Sequence, residues 1–512
     1  MQTQLAELPW LTILIVVPAV AALLIWLVKP LRRAARPIGL AVSVLVLAGA
    51  AVMVSAFDTS DAAAYQFTTT RSWIASFGAS YDVGVNGLGL VLVLLAALLV
   101  PIVLLAAWNE VSLPAGVVAA RASDALVYRQ AGYVALVLVL ESLMIAVFSA
   151  RDVFFFYILF EAMLIPVYFM IGVYGGANRR YAAIKFLLYS LAGGLIMLAG
   201  VIALYFQTDG GPQAFRIDNL ANAVDDPTLQ MWLFLAFFVA FAIKAPMWPV
   251  HTWLPDAAQQ GPPGTSVLLV GVLDKVGTFG MIALCLPLFP DAAKAAAPVI
   301  IALALISIIY GGLVAIGQND LMRMIAFTSV SHFGFIVLGI FVGTQTGLTG
   351  SMVYMVAHGV STAAMFLIAG FLTQRGGSQD MRSYSGMQRI TPVIAGTFLV
   401  SGLASLALPG LSGFVPEYLV LLGSFQLHPA VGAIAVIGVV LAALYILMAY
   451  QRIFTGEPLE GRKSLTDLGG REKWVVAVLV AAILFLGFYP APVLDVLAPV
   501  ADQFAVILGS AS

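Results

Sequence analysis

Residues 233–257 read LFLAFFVAFAIKAPMWPVHTWLPDA. The apolar run that leads to Lys244 is typical of a helix crossing a lipid bilayer, which needs about 20 mostly apolar residues. Pro246 and Pro249 follow, and because proline has no backbone N–H the helix must break just after Lys244. The freed carbonyl groups and the buried ammonium then need polar partners or water, which a hydrated cavity inside a helix bundle supplies. This stretch therefore predicts a broken transmembrane helix with a charge at the break.

A second broken helix is predicted in residues 400–423, which read VSGLASLALPGLSGFVPEYLVLLG. Four helix-breaking residues flank the acidic Glu417 in this stretch: Pro409, Gly410, Gly413 and Pro416. The two breaks fall in the seventh and the twelfth apolar stretches of the chain. Interrupted helices at corresponding places in two halves are typical of transporters built from inverted repeats.

The composition places the chain in the membrane. Of its 512 residues 62% are hydrophobic and 10% charged, with a mean hydropathy of +1.03, whereas soluble domains carry roughly 25% charged residues. A soluble enzyme and a nucleic-acid-binding protein are therefore excluded, and the net charge of −1 indicates no polyanionic partner. The single cysteine, Cys285, can form neither an intrachain disulfide nor an iron–sulfur cluster by itself.

We expect an all-α polytopic membrane protein, because a β-barrel would show short alternating strands in place of long apolar blocks. About fourteen apolar stretches are centred near Val17, Val46, Leu95, Leu140, Phe160, Leu191, Phe237, Leu273, Ile306, Val337, Phe366, Leu403, Val440 and Val480. Most of the Lys and Arg residues fall in alternate loops, which places both termini outside. No basic residue precedes the first apolar run, so it does not resemble a cleavable signal peptide.

The predicted organisation has four parts. They are three N-terminal helices in residues 1–110, a first repeat of helices four to eight in 125–290, a second, inverted repeat of helices nine to thirteen in 296–455, and a C-terminal helix and tail in 470–512. The acidic gaps 58–85 and 207–228 are predicted to be outer loops.

Ionisable residues occur within the apolar stretches, where each charge facing lipid would cost about 2.5–3.5 kcal/mol. They are Glu141, Glu161, Lys185, Lys244, His251, Asp274, Lys275, His332, His358 and Glu417. Such groups must face one another or water inside the bundle. Each has a structural alternative: an ion pair, a hydrogen-bonded core histidine, or, for Lys185, an ammonium that reaches the membrane surface. Adjacent side chains on a helix point about 100° apart, so Lys275 needs a partner other than Asp274.

The presence of acidic and basic groups within the apolar stretches, together with two broken helices, favours a proton path over a purely structural role. The candidate residues for this path are Glu161, Lys185, Lys244, His251, Lys275, His332, His358 and Glu417. We give less weight to Glu141, Asp274 and the loop residue His428. The histidines show no i, i+4 spacing, which argues against a metal site.

Several motifs resemble the antiporter-like membrane subunits of respiratory complex I, the NADH:quinone oxidoreductase. Among them are FEAMLIPVYFMIGVYGG (160–176), AIKAPMWPVHTWLPDA (242–257), GVLDKVGTFGM (271–281) and AHGVSTAAMFLIAG (357–370), and the resemblance runs from about residue 80 to 490. Glu417 favours the subunit M group of this family, since subunits L and N and the multi-subunit sodium/proton antiporters typically have lysine there.

The resemblance implies a fold of fourteen transmembrane helices containing two inverted five-helix repeats. It also implies a buried pair of Glu161 and Lys244, a central lysine at Lys275 and a terminal proton-path residue at Glu417. His251, His332 and His358 match family positions along the same hydrophilic axis. The chain departs from the family at Ala258, Met322, Asp274 and Pro416, where histidine, lysine, leucine and a smaller residue are common.

The resemblance further implies a bacterial inner-membrane subunit without a cofactor of its own. FMN, iron–sulfur clusters and quinone are expected in partner subunits, and subunits N and L are the expected neighbours, with the lipid bilayer and protons as the other partners and no nucleic acid. The alternatives are a subunit of a cation/proton antiporter or of a membrane-bound hydrogenase, or a structural spacer.

Overall fold

The computed structural model describes residues 8–111, 122–211, 213–221 and 223–509. Within these residues, thirteen helices are long and apolar enough to cross a membrane. The first and last predicted parts extend into residues 1–7 and 510–512, which lie outside the described residues. The predicted all-α polytopic membrane fold is confirmed.

The described residues of the N-terminal half form nine main helices. They are α1 (Trp10–Leu27), α2 (Ala35–Ala56), α3 (Gly87–Asn109), α4 (Ser123–Ser149), α5 (Val153–Tyr174), α6 (Arg179–Tyr205), α7 (Pro227–Lys244), α8 (Trp253–Gln260) and α9 (Pro263–Leu288). The seventh predicted stretch is broken as expected, since α7 ends at Lys244 and α8 begins at Trp253.

Eight main helices follow in the C-terminal half, up to residue 509, the last one that the structure describes. They are α10 (Pro290–Ile316), α11 (Leu321–Phe341), α12 (Gln345–Gly376), α13 (Pro392–Ser405), α14 (Phe414–Leu427), α15 (Pro429–Phe454), α16 (Gly470–Phe488) and α17 (Ala491–Leu508). The twelfth predicted stretch is the broken pair α13 and α14, with Glu417 in the first turn of α14. The fourteenth stretch is α16, and α17 is an additional helix that the predicted C-terminal tail did not include.

The loop between α2 and α3 contains a β-hairpin that the sequence analysis did not predict. Strands β1 (Gln66–Ile74) and β2 (Ala79–Val85) pair antiparallel. Gly78 in the turn has φ +77°, a conformation that glycine adopts without the steric cost of a side chain. Asp152 fixes the hairpin to the bundle, because its carboxylate accepts hydrogen bonds from the Ser80 backbone N–H (2.9 Å) and from Phe155 N–H (2.8 Å) at the start of α5.

Three helices form the centre of the bundle. In α9, α11 and α12 the most apolar 18-residue window is wholly buried, whereas in α1 and α2 only 28% of that window is buried. α11 packs between α10 and α12, and α12 also contacts α13, α14 and α17. The aspartate, lysine and histidine residues of these helices are at most 2% exposed; they are Asp274, Lys275, His332 and His358.

Candidate functional site

Lys244 lies at the end of α7, where the prolines of the sequence stop the helix. Its side chain is 1% exposed and its Nζ has no hydrogen-bond partner within the described residues. The Nζ lies 5.0 Å from the ring centroid of Phe160 and 5.8 Å from that of Phe186, so aromatic faces partly replace its hydration. The break also frees the carbonyl of Ile243, which accepts a hydrogen bond from the Trp253 indole at 2.9 Å.

Glu161 lies in α5, just before an irregular turn at Met163. The turn follows from Pro166, which cannot donate to the carbonyl four residues earlier. The Glu161 carboxylate packs against Gly194 of α6, where any side chain would overlap it. Its negative charge acts on Lys244 through space, and Oε1 has no hydrogen-bond partner in the part of the chain that the structure describes. Glu161 and Lys244 therefore interact through their charges, without a hydrogen bond between them in the described residues.

Lys275 lies at the middle of α9, between two π-helical turns, Leu269–Leu273 and Met281–Cys285. Such turns occur frequently at functional sites. The Nζ donates to the Val270 carbonyl at 2.6 Å and lies 2.8 Å from His358 Nδ1. Lys275 thus has a partner other than Asp274, as the helix geometry predicted.

His358 of α12 contacts Lys275 through one ring nitrogen, and its ring also contacts that of His332 in α11. The two imidazole centroids are 5.1 Å apart. His332 Nε2 lies 3.0 Å from the carbonyl of Ser405, the last residue of α13, and 3.3 Å from the Tyr445 hydroxyl. Because a carbonyl only accepts hydrogen bonds, His332 carries its hydrogen on Nε2, and the break between α13 and α14 supplies the free carbonyl.

Glu417 lies at the other end of this run. Its Oε2 accepts a hydrogen bond of 2.6 Å from the Tyr354 hydroxyl, and the residue is 2% exposed. The Tyr354 ring lies 5.9 Å from that of His332. The structure therefore brings Lys275, His358, His332 and Glu417 into one buried series.

His251 lies in the break between α7 and α8 and is 2% exposed. Both ring nitrogens lack a hydrogen-bond partner within the described residues. The ring contacts Tyr310, with 5.1 Å between centroids, and the charge of Lys185 acts on it. The ring also lies 6.2 Å from that of Phe327 on α11, so His251 lies near both Lys185 and one central helix, outside the hydrogen-bonded series.

Lys185 belongs to a separate ion-pair cluster. Its Nζ donates to Asp256 of α8 at 2.7 Å, and Arg323 of α11 pairs with the other oxygen of the same carboxylate. The Lys185 side chain is 22% exposed. It lies near the protein surface and does not join the buried series.

A polar cavity of about 220 Å³ lies near this cluster, next to Gln259. Its polar lining residues are Glu110, Arg129, Tyr133, Tyr174, Gln259, Gln260 and Gln379. Burial raises the pKa of Glu110 to about 8. The cavity offers water a polar space beside α8 and the start of α9.

Four further polar residues lie in or near the site. Tyr354 and Tyr445 were not among the predicted site residues, because a tyrosine in an apolar helix is usually a packing residue with a satisfied hydroxyl. Asp274, to which the sequence gave little weight, is fully buried in α9 with both carboxylate oxygens unpartnered within the described residues. Glu141 of α4 is equally buried and unpartnered in that part of the chain.

Comparisons with known proteins agree with the resemblance in the sequence. Residues 150–442 match the family model described as "NADH:quinone oxidoreductase/Mrp antiporter, TM". The NADH-quinone oxidoreductase subunit M of Mycobacterium tuberculosis (strain CDC 1551 / Oshkosh) is 49% identical over 98% of this chain and 95% of its own length. The subunit M of Rhodobacter capsulatus is 38% identical over 91% of this chain and 90% of its own.

Solved structures show the same fold. A chain of respiratory complex I from Thermus thermophilus with bound NADH superposes with a TM-score of 0.86 and 31% identity, covering 98% of this chain and all of that one. A chain of the Mrp complex from Dietzia sp. DQ12-45-1b gives a TM-score of 0.84 over 98% of this chain and 99% of that one. Because the Mrp chain is only 21% identical to this one, its similarity shows a shared fold alone. The family model and the subunit M relatives together cover nearly the whole chain, which therefore belongs to the NADH-quinone oxidoreductase subunit M family.

Proposed function

We propose that this chain is a proton-translocating membrane-arm subunit of NADH:quinone oxidoreductase. It performs no redox chemistry itself. It couples NADH oxidation and quinone reduction in partner subunits, which hold FMN, iron–sulfur clusters and quinone, to proton transfer through its own buried side chains. The series Lys275, His358, His332, Tyr354 and Glu417 supports this function, because its neighbours are joined by hydrogen-bonding distances of 2.6–2.8 Å at the two ends and by ring contacts between them.

Each group in the series can exchange a proton with its neighbour. A charged Lys275 donates to His358 Nδ1, and an imidazole that accepts a proton at one nitrogen can release one from the other. His358 Nε2 and His332 Nδ1 have no hydrogen-bond partner within the described residues, so both are free to exchange protons. Glu417, held by Tyr354, is the terminal acceptor.

Lys244 and Glu161 are proposed to control this series electrostatically. The Lys244 ammonium has no hydrogen-bond partner within the described residues and is stabilised by the nearby Glu161 carboxylate. The positive charge of Lys244 in turn disfavours a second positive charge further along the bundle. A conformational change that moves Glu161 away would therefore release the Lys244 proton. Lys185 and His251 are proposed to carry protons from the surface cluster toward Lys244.

The proposed arrangement in the membrane follows the sequence analysis. Helices four to eight and nine to thirteen of the predicted set are proposed to be two inverted repeats. The helix break that follows Lys244 and the one that precedes Glu417 support this proposal. We propose subunits N and L as neighbours, the bacterial inner membrane as the location, and the outer side for both termini.

The test is proton pumping driven by NADH oxidation in membrane vesicles that carry the complete complex with Lys244→Ala. Lys294→Ala is the matched control, because Lys294 is an exposed lysine on α10. We expect the Lys244 variant to assemble on a native gel and to lose most of its pumping, with the control unchanged. An assembled Lys244→Ala complex that pumps at the normal proton-to-NADH ratio would make the chain a structural spacer. Pumping that depends on sodium would favour a cation/proton antiporter.

A further inference from the structure

We propose that Asp274 is an additional proton-carrying residue, placed between Lys244 and Lys275. The inference rests on the proposed function and adds a residue to its path. Asp274 is 0% exposed, and neither of its carboxylate oxygens has a hydrogen-bond partner in the described residues. A buried carboxyl without partners is costly, so a solely structural role would be served more cheaply by an apolar side chain.

The helix geometry directs Asp274 toward α7. Asp274 and Gly277 are three residues apart and share a face of α9. A Cβ atom on Gly277 would lie 2.5 Å from the Phe241 carbonyl oxygen and 2.7 Å from the Ala245 nitrogen. This face of α9 is therefore pressed against the last turn of α7, the turn that carries Lys244.

The backbone at Asp274 is irregular. Its N–H donates to the carbonyl of Leu269, five residues earlier, at 3.0 Å, which is the hydrogen bond of a π turn. The wider turn changes the angular position of the following residues relative to those before it. Asp274 can thus face α7 while Lys275, the next residue, points to His358 on α12.

The charges around the two lysines point to the same role. Lys244 Nζ has no hydrogen-bond partner within the described residues, and the partners of Lys275 are the Val270 carbonyl and the His358 ring, neither of which is an anion. The Asp274 charge acts on both lysines. Since an unpaired buried ammonium is strongly unfavourable, one carboxylate shared by both lysines stabilises whichever of them holds the proton.

The transfer has two steps, both of which conserve charge and atoms. In the first, an N–H bond of Lys244 breaks and an O–H bond forms on Asp274, which leaves a neutral amine and a neutral carboxylic acid. In the second, after Lys275 has passed its own proton to His358, the O–H bond of Asp274 breaks and the proton binds the neutral Lys275 amine. Rotation of the short Asp274 side chain between the two lysines connects the steps.

The experiment compares three variants of Asp274 in vesicles that carry the whole complex. Asp274→Asn keeps the shape and cannot carry the proton, Asp274→Glu keeps a carboxyl, and Asp274→Leu is apolar. Asp291→Asn is the control, because Asp291 is an exposed aspartate in the first turn of α10. We expect the Asn and Leu variants to lower the proton-to-NADH ratio at least fivefold, and the Glu variant to keep more than half of it.

A normal ratio in Asp274→Asn or in Asp274→Leu would overturn the inference, as would a Glu variant no better than Asn. Lys244→Ala in the same vesicles separates the two proposals. If that variant loses pumping while Asp274→Asn pumps normally, the role of Asp274 alone is wrong; if Lys244→Ala pumps normally, the proposed function is wrong.

Infrared difference spectroscopy during turnover provides a second readout if the Asn and Leu variants fail to assemble. We expect a carboxyl C=O band in the wild-type complex that shifts in Asp274→Glu. Identical carboxyl bands in the two complexes would show that Asp274 does not change its protonation, and would overturn the inference.

Discussion

The imidazole rings of His332 and His358 contact each other edge to face from adjacent helices, with 5.1 Å between centroids and an interplanar angle of 67°. One ring is fixed by the Ser405 carbonyl and the other by Lys275. The hydrogen-bonded nitrogen of His332 is therefore held by the C-terminal half of the bundle, and that of His358 by the N-terminal half.

His358→Phe tests this junction. Phenylalanine keeps a ring between Lys275 and His332 and removes both nitrogens, so we expect the complex to assemble and proton pumping to fall by at least tenfold. The measurement is proton uptake by vesicles during NADH oxidation. His428→Phe is the control, because His428 is a solvent-exposed residue between α14 and α15. Equal pumping by the two variants would contradict the proposed series.

Tyr354→Phe removes the hydroxyl that donates to Glu417. Hydrogen bonds to charged groups contribute about 1.5–3 kcal/mol, so the ionised carboxylate becomes less stable and proton release from Glu417 slows by roughly tenfold or more. Coupled NADH oxidation by sealed vesicles should slow accordingly. The neighbouring residue Tyr418 has an exposed side chain, and Tyr418→Phe should leave the rate unchanged.

Gly194→Ala tests the position of the Glu161 carboxylate. The added methyl group would occupy the space of that carboxylate, which is at the end of a flexible side chain and can move. We therefore expect normal assembly with a loss of pumping similar to that of Glu161→Ala. Gly396→Ala is the control, since a Cβ at Gly396 meets nothing within 4 Å. Wild-type pumping by Gly194→Ala would show that the observed Glu161 position is not required.

Asp152→Ala should detach the β-hairpin from the start of α5. The variant loses a helix cap worth about 1 kcal/mol and leaves the Ser80 N–H without its acceptor, which costs about 1–3 kcal/mol more. We expect a lower unfolding temperature and faster proteolysis within 66–85. Asp226→Ala removes the exposed cap of α7 and should have the smaller effect; the reverse order would contradict the assigned role.

Glu110→Gln tests the pH dependence of the polar cavity. Burial raises the pKa of Glu110 to about 8, above its value of about 4.3 in an unfolded chain. The folded state therefore loses stability relative to the unfolded state as the pH rises from about 4.3 to 8. The glutamine variant lacks this loss, so its advantage in thermal stability should grow over that range. Glu460→Gln, an exposed residue paired with Lys463, should show no such trend.

Local chemistry made much of the fold predictable. Pro246 and Pro249 remove backbone donors, so the end of α7 at Lys244 follows from the sequence alone, and the Pro and Gly residues around Glu417 do the same for α13 and α14. The helix geometry also predicted that Lys275 contacts a residue other than Asp274, and in the observed arrangement that residue is His358. These predictions depend on residues within one or two helical turns of each other.

Contacts between distant residues were not predictable in the same way. His358 is 83 residues from Lys275 and Tyr354 is 63 from Glu417, and no local pattern links such pairs. The sequence of β1, QFTTTRSWI, is rich in β-branched and aromatic residues, which favour strands. Because this segment lies in a gap with acidic residues between two apolar stretches, it was interpreted as a loop. Asp495 and Asp502 interrupt the apolar pattern of α17, so this helix was interpreted as part of the C-terminal tail.

The 32 residues of α12 form one unbroken helix, about 48 Å long at 1.5 Å per residue. Tyr354 and His358 stand one turn apart on it, so their separation is fixed by the helix and not by the irregular backbone around them. The continuous helix α12 is thus a suitable reference for measuring the movement of Lys244 or Glu417. Distance probes should pair α12 with α7 or α14, because a change in either spacing reports the displacement of a broken helix directly.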